Sequence, residues 1–233
     1  MPTETRAILS SRDPSRAALI CTVIVMGLAF DQLVPFWGQT STSAGVWILI
    51  LLWVRQAQRE EQITLISCVV YATLGECVLS LVWGLYDYRL GNIPAFVPPG
   101  HALLLMLGMI LAARLRDWII WFVPLASLPF VLLLAFLGAD IFGLLLFSIL
   151  LLCLAFSRSR KLYAVMFVLS LAMEIYGTWL GNWAWQPVVP WLELTTTNPP
   201  LAAGVFYCLL DFLVMTTLRW YRTRSLPLAT QGV

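Results

Sequence analysis

The chain has 233 residues, of which 61% are hydrophobic and 11% charged, with a mean hydropathy of +0.87. A soluble domain carries roughly twice that charged fraction, and no stretch here is polar enough to cover a soluble core, so bilayer lipid is the expected solvent. The net charge of +2, with its cations gathered in short loops, argues against nucleic-acid binding.

In chain order, residues 1–16 form a basic tail, read as cytoplasmic and followed by an uncleaved anchor rather than a signal peptide. Apolar runs follow at Ala17–Phe36, Ser41–Val54, Ile63–Tyr86, His101–Ala113, Trp118–Leu137, Ile141–Phe156, Leu162–Gly181 and Pro200–Leu218. Most reach the ~17–25 residues that span hydrocarbon as a helix. The expected fold is all-α: a polytopic bundle of about eight transmembrane helices over residues 17–218, with a cytoplasmic tail at 219–233.

With a cytoplasmic N-terminus and one crossing per run, the inner loops hold Arg6, Arg12, Arg16, Arg55, Arg59, Arg114, Arg116, Arg158, Arg160, Lys161, Arg219, Arg222 and Arg224, leaving Arg89 outside. Such a bias fixes orientation by the positive-inside rule, with both termini cytoplasmic and a bacterial inner membrane as the expected location. The second and fourth runs are short for a crossing. Each follows an outer polar or proline-rich stretch, 38–43 and 91–100, expected either to fold back into the bundle or to lie as surface loops over a thinned bilayer.

The carboxylates inside the runs are the most informative residues. Glu76 and Glu174 lie at similar depth, slightly outward of the midplane, Asp211 lies closer to the middle and Asp31 further out. An ionised carboxylate at such depth costs at least ~2.5 kcal/mol, and no Lys or Arg lies within a run to pair with it. These groups are therefore protonated, hydrogen-bonded or facing water. A protonated acid in an apolar site can donate its proton, which is what acid catalysis on an apolar substrate needs. The structural alternative is a carboxyl bonded to a neighbouring helix.

The single histidine, His101, is expected at the outer mouth of the fourth helix, either as a catalytic group beside Glu76, Glu174 and Asp211 or as a helix-end polar residue. Arg89 has Asp87 as its obvious partner, or holds an anionic headgroup. Trp83, Tyr86, Tyr88, Asn92, Trp179, Asn182, Trp183, Trp185 and Asn198 share this outer layer with Arg89, either as a substrate-binding lining or as an interfacial aromatic belt with its supporting amides.

Cys21, Cys68, Cys77, Cys153 and Cys208 read as small buried hydrophobes. No phosphate-binding, dinucleotide, zinc or nucleophile-elbow motif occurs, so neither metal nor cofactor is expected. The isolated carboxylates do not form an Asp-rich diphosphate–magnesium motif.

Two strings echo one another: Glu76, Trp83-Gly84, Tyr86, Tyr88 and Pro98-Pro99, then Glu174, Trp179, Gly181, Trp183, Trp185 and Pro199-Pro200. Either two parallel four-helix halves, 17–116 and 117–218, are present, or short aromatic strings recur by composition. Glu76 with Trp83-Gly84-Leu85-Tyr86, and Glu174 with Tyr176-Gly177 and Gly181, resemble carotenoid hydratases and membrane lycopene cyclases. That resemblance implies olefin protonation of an isoprenoid by Glu76 and Glu174. The expected activity is acid catalysis on a membrane lipid or isoprenoid, of cyclase, isomerase or hydratase type. A small proton-coupled transporter or flippase and a non-catalytic membrane subunit are the alternatives.

Overall fold

A computed structural model describes residues 14–225. Arg6 and Arg12, counted above among the inner cations, and the tail residues 226–233 lie outside the described residues.

Long apolar runs separated by short polar breaks favour helices, because in lipid every backbone group must be bonded within its own segment. Among the described residues eight result: α1 (Pro14–Leu33), α2 (Gly38–Gln56), α3 (Arg59–Glu76), α4 (Val97–Arg114), α5 (Ile119–Phe136), α6 (Ile141–Phe156), α7 (Arg160–Leu180) and α8 (Gly204–Ser225). The all-α class holds among the described residues. Five helices are long and apolar enough to cross a membrane: α1, α3 with its extension to Val82, α4, α5 and α7.

The two runs expected to be short give helices of 19 and 18 residues, so most of the two stretches is helix rather than loop. α2 begins at Gly38 and has 19 residues, so the polar 38–43 stretch is its first turns. α4 begins at Val97 and has 18, with Pro98 and Pro99 in its first turn. Helix N–H groups have no intrahelical partner there, so proline removes nothing and its fixed φ suits the helix. Only 91–96 remains loop. At the other end of the chain, α8 starts at Gly204 rather than Pro200 and carries Arg219, Arg222 and Arg224 in its last turns.

α4 is the central helix. Leu103, Met106, Met109 and Ile110 are each at most 2% exposed, and α1, α2, α3 and α7 pack around it. α8 closes the bundle against α3 and α7, while α5 and α6 form a hairpin against α7. The outward faces stay apolar, as at Leu81, Leu125 and Phe136. Such a surface suits lipid, where packing rather than water exclusion drives helices together.

The two ends differ in chemistry. At one end, Arg222 grips Glu60 through two bonds of 2.8 and 2.7 Å, Arg16 meets Glu61 at 3.3 Å and Lys161 meets Asp117 at 2.5 Å. Lys161 holds the Asp117 carboxyl below its ordinary range by hydrogen bonding and charge. At the opposite end two short strands pair antiparallel, β1 (Tyr86–Tyr88) and β2 (Trp183–Trp185), with Tyr86 opposite Trp185 and Tyr88 opposite Trp183. Strand side chains alternate between faces. All four rings are therefore buried towards the helices, while Asp87 and Ala184 face away.

Candidate functional site: two carboxylates under an aromatic ribbon

α3 and α7 each deliver one glutamate to the underside of the ribbon. Immediately after Glu76 the helix widens into six π-helical residues, Cys77–Val82. Such segments change the phase of a helix and concentrate at functional sites. α7 instead ends at Gly181, whose φ of 82° is the left-handed conformation that glycine adopts readily. The chain thereby leaves the helix and enters β2 within two residues.

Glu76 is 6% exposed. Its Oε2 accepts hydrogen bonds from the hydroxyls of Tyr86 (2.8 Å) and Tyr88 (2.7 Å). Glu174, 5% exposed, mirrors it, with Oε2 accepting from the indole N–H of Trp183 (2.8 Å) and Trp185 (3.0 Å). Indole N–H only donates, so Glu174 Oε2 is locked as an acceptor. Burial, then the neighbouring Glu76, push the Tyr86 and Tyr88 phenols well above their ordinary values, which keeps both as donors.

Any proton on Glu174 must therefore sit on Oε1, and the Oε1 atoms of the two glutamates face different helices. Tyr207 of α8 lies 3.0 Å from Glu174 Oε1 through its hydroxyl. His101 of α4 places Nε2 3.4 Å from Glu76 Oε1. The other histidine nitrogen, Nδ1, is 2.9 Å from the carbonyl of Val97. A carbonyl only accepts, so Nδ1 carries hydrogen. Nε2 therefore faces Glu76 Oε1 across a single gap of 3.4 Å. The His101 and Tyr207 rings stack at 4.9 Å, nearly parallel, which places the groups facing the two Oε1 atoms side by side.

A cavity of about 70 Å³ lies against both carboxylates, lined also by Tyr86, Tyr88, Trp183 and Trp185 with apolar residues of α1, α2 and α4. A second, of about 60 Å³, lies on their α3–α8 side. Among the described residues no three His, Cys, Asp or Glu side chains gather to hold a metal ion.

The remaining sequence candidates separate into supports and outsiders. Arg89 pairs with Asp31 rather than Asp87: its Nη2 donates to the Asp31 carbonyl (2.7 Å) and Oδ1 (3.2 Å). Asp87 accepts from Gln186 instead. Asp31 therefore has a cation, correcting the expectation that no buried acid does. Asn182 donates to Asp31 Oδ2 at 2.7 Å, and Asn198 accepts from the Trp185 backbone at 2.9 Å, so both hold the ribbon. Asn92 bonds Gln39 at the surface. Trp83 donates to the Pro190 carbonyl and stacks on Trp191, away from the cavity. Trp179 is 77% exposed on the outer face of α7, as an interfacial belt residue would be.

Asp211 is fully buried on α8, one turn further in than Tyr207, and neither carboxyl oxygen has a hydrogen-bond partner among the described residues. It does not line the chamber. Tyr207, which lines both cavities and bonds Glu174, is the chamber residue that the sequence reading omits. Its one signal is the four-residue spacing to Asp211, which puts both on one helix face.

No protein-family model, curated protein or solved structure matches the chain.

Proposed function

We propose that this is a membrane-embedded enzyme that protonates a carbon–carbon double bond of a lipid or isoprenoid. One observation carries the reading. Two buried carboxylates converge on one aromatic chamber, each with Oε2 bonded to two ribbon side chains, while Glu76 Oε1 faces His101 and Glu174 Oε1 accepts from the Tyr207 hydroxyl.

In this reading Glu76 Oε1, supplied through His101, gives its proton to one alkene carbon. The π electrons form the new C–H bond and leave a cation on the other carbon. The Tyr86, Tyr88, Trp183 and Trp185 rings shelter that cation through their negative faces. Loss of a neighbouring proton to Glu174 completes isomerisation; in cyclisation a second double bond of the same chain first gives its π electrons to the cation, forming the ring C–C bond, and the new cation then loses its proton to Glu174. Attack by water followed by proton loss completes hydration. Neither route needs an oxidant.

The fold that goes with this chemistry has eight crossings in two four-helix halves, each contributing one glutamate and one strand to the ribbon. Both termini lie at the ion-paired end, assigned to the cytoplasm of a bacterial inner membrane by its cations. The likeness to carotenoid hydratases and membrane lycopene cyclases belongs to the same proposal.

Glu→Gln is the informative change, because the amide can keep the geometry. Its carbonyl takes the place of Oε2 and its NH₂ faces His101 or Tyr207. Comparing lipid extracts of cells carrying the wild type and Glu76→Gln, with equal amounts of folded protein, tests the proposal. A lipid species lost in the variant supports it, and identical extracts refute it.

Asp211 favours a second reading. A fully buried carboxyl with no hydrogen-bond partner among the described residues, inward of the chamber, suits a proton-coupled transporter that moves protons between Asp211 and Glu174. Proton-driven uptake into vesicles that is abolished by Asp211→Asn, with unchanged lipids, would select it.

A further inference from the structure

Between α1 and α2 runs an open groove of about 650 Å³, lined by apolar side chains such as Leu19, Met26, Phe30 and Leu49. Four residues, Val23, Gly27, Thr42 and Val46, line both this groove and the chamber that holds Glu76 and Glu174. Behind the groove, the wall of the chamber is thus one layer of small side chains.

Two glycines shape the gap. A Cβ on Gly27 would approach the Thr42 methyl to 3.2 Å, so the helices meet closely at that level. A Cβ on Gly45 would meet nothing within 4 Å, so its place in the groove is open space. The Thr42 hydroxyl is turned back on the Gly27 carbonyl at 3.3 Å and presents no free polar group to the groove. Met26, Leu33 and Ile48, on the outward faces of the same helices, are 62%, 73% and 59% exposed, so the groove opens sideways into hydrocarbon.

The chamber selects which end of a lipid could enter. Its lining holds two acids and one histidine but no Lys or Arg, and Arg89 is already bound to Asp31. Glu174, the proton acceptor of the proposed reaction, repels a phosphate or carboxylate headgroup as a carboxylate. At about 70 Å³ the chamber admits only a few water-sized groups, whereas the groove is far larger.

We infer that the substrate enters laterally from the bilayer through the α1–α2 groove, hydrocarbon end first, and presents a double bond near that end to Glu76 while its headgroup stays outside. This rests on the reading under Proposed function and adds the substrate's orientation and route.

The test uses the full chain reconstituted in lipid nanodiscs with two photoreactive polyprenols, one carrying a diazirine on its terminal isoprene and one at its hydroxyl end. Labelled peptides are then mapped. The tail-tagged probe should label chamber residues such as Leu103 and Met173, and the head-tagged probe should not. Gly45→Trp fills open space, and Ser41→Trp plugs the outer end of the groove. Each should lower chamber labelling at least about tenfold, the equivalent of about 1.4 kcal/mol. Ile48→Trp, on the lipid face beside the groove, should change nothing. Chamber labelling that survives both plugs overturns the route, and equal labelling by the head-tagged probe overturns the orientation.

Glu76→Gln should leave labelling intact, which separates entry from chemistry. A lipid product lost in Glu76→Gln but kept in both plugged variants refutes the groove and spares the acid. Groove-dependent labelling with lipids unchanged in Glu76→Gln does the reverse.

Discussion

Gly177→Ala offers a prediction whose sign the structure decides. In an ordinary helix interior this change is favourable by about 1 kcal/mol, because alanine is the better helix former. In α7, however, the six-membered ring of Trp183 lies directly on Gly177, and a Cβ there would fall inside the indole. The ring must move, and with it goes the 2.8 Å bond from its N–H to Glu174. Losing a hydrogen bond to a charged acceptor costs about 1.5–3 kcal/mol. Forcing extra volume into a packed site costs about 1–3 kcal/mol more. Set against the helix gain, the net expectation is a loss of about 1.5–5 kcal/mol. Gly75→Ala is the control: it sits in α3 with nothing near its Cβ, and it should be neutral or stabilising. Equilibrium unfolding in detergent micelles, followed by tryptophan fluorescence, measures both. In a Trp183→Ala background the Gly177→Ala penalty should vanish. A Gly177→Ala protein as stable as the wild type would refute the seating of Trp183 on α7, and the clamp on Glu174 with it.

Tyr207→Phe keeps the ring stacked on His101 but removes the hydroxyl that donates to Glu174, so stability should fall by about 1.5–3 kcal/mol while lipid product falls at least about tenfold. Melting curves and lipid extracts read the two effects separately. Arg89→Met should cost about 3–5 kcal/mol, because Asp31 is then a buried charge without its cation. Adding Asp31→Asn should recover most of that loss, and a double mutant no more stable than the single would contradict the pairing. Glu174→Gln should unfold close to the wild type, since the amide carbonyl still accepts from Trp183 and Trp185. A loss as large as that of Glu174→Leu would show that the carboxylate is required for folding.

The sequence identified the costly residues but not their partners. Glu76 and Glu174 were legible because acids in an apolar run are expensive, and the number of helices because apolar runs announce themselves. What sets Trp183 and Trp185 apart from Trp179 was not legible. All three occur within seven residues, but the left-handed turn at Gly181 switches the period from helix to strand, so Trp179 faces outward while the other two turn in. The spacing of Tyr86 and Tyr88, two residues apart, suited a strand as well as a loop, and only the pairing of β1 with β2 makes both hydroxyls meet Glu76. The tie between Arg89 and Asp31 joins residues 58 positions apart, so proximity in sequence favoured Asp87 instead. Pro98-Pro99 suggested a turn because proline breaks helix interiors, yet it marks the start of one. Tyr207 gave little signal, since a tyrosine in an apolar run is ordinary until its hydroxyl has a partner.

Solvent deuterium gives the most direct test of proton transfer from Glu76 to carbon. Isolated membranes containing the protein are supplied with heavy water for a short period, and their lipids are analysed by mass spectrometry. The wild type should place one non-exchangeable deuterium on a carbon of the product lipid, and Glu76→Gln membranes should place none. The same labelling in both membranes, or none in either, would contradict the account.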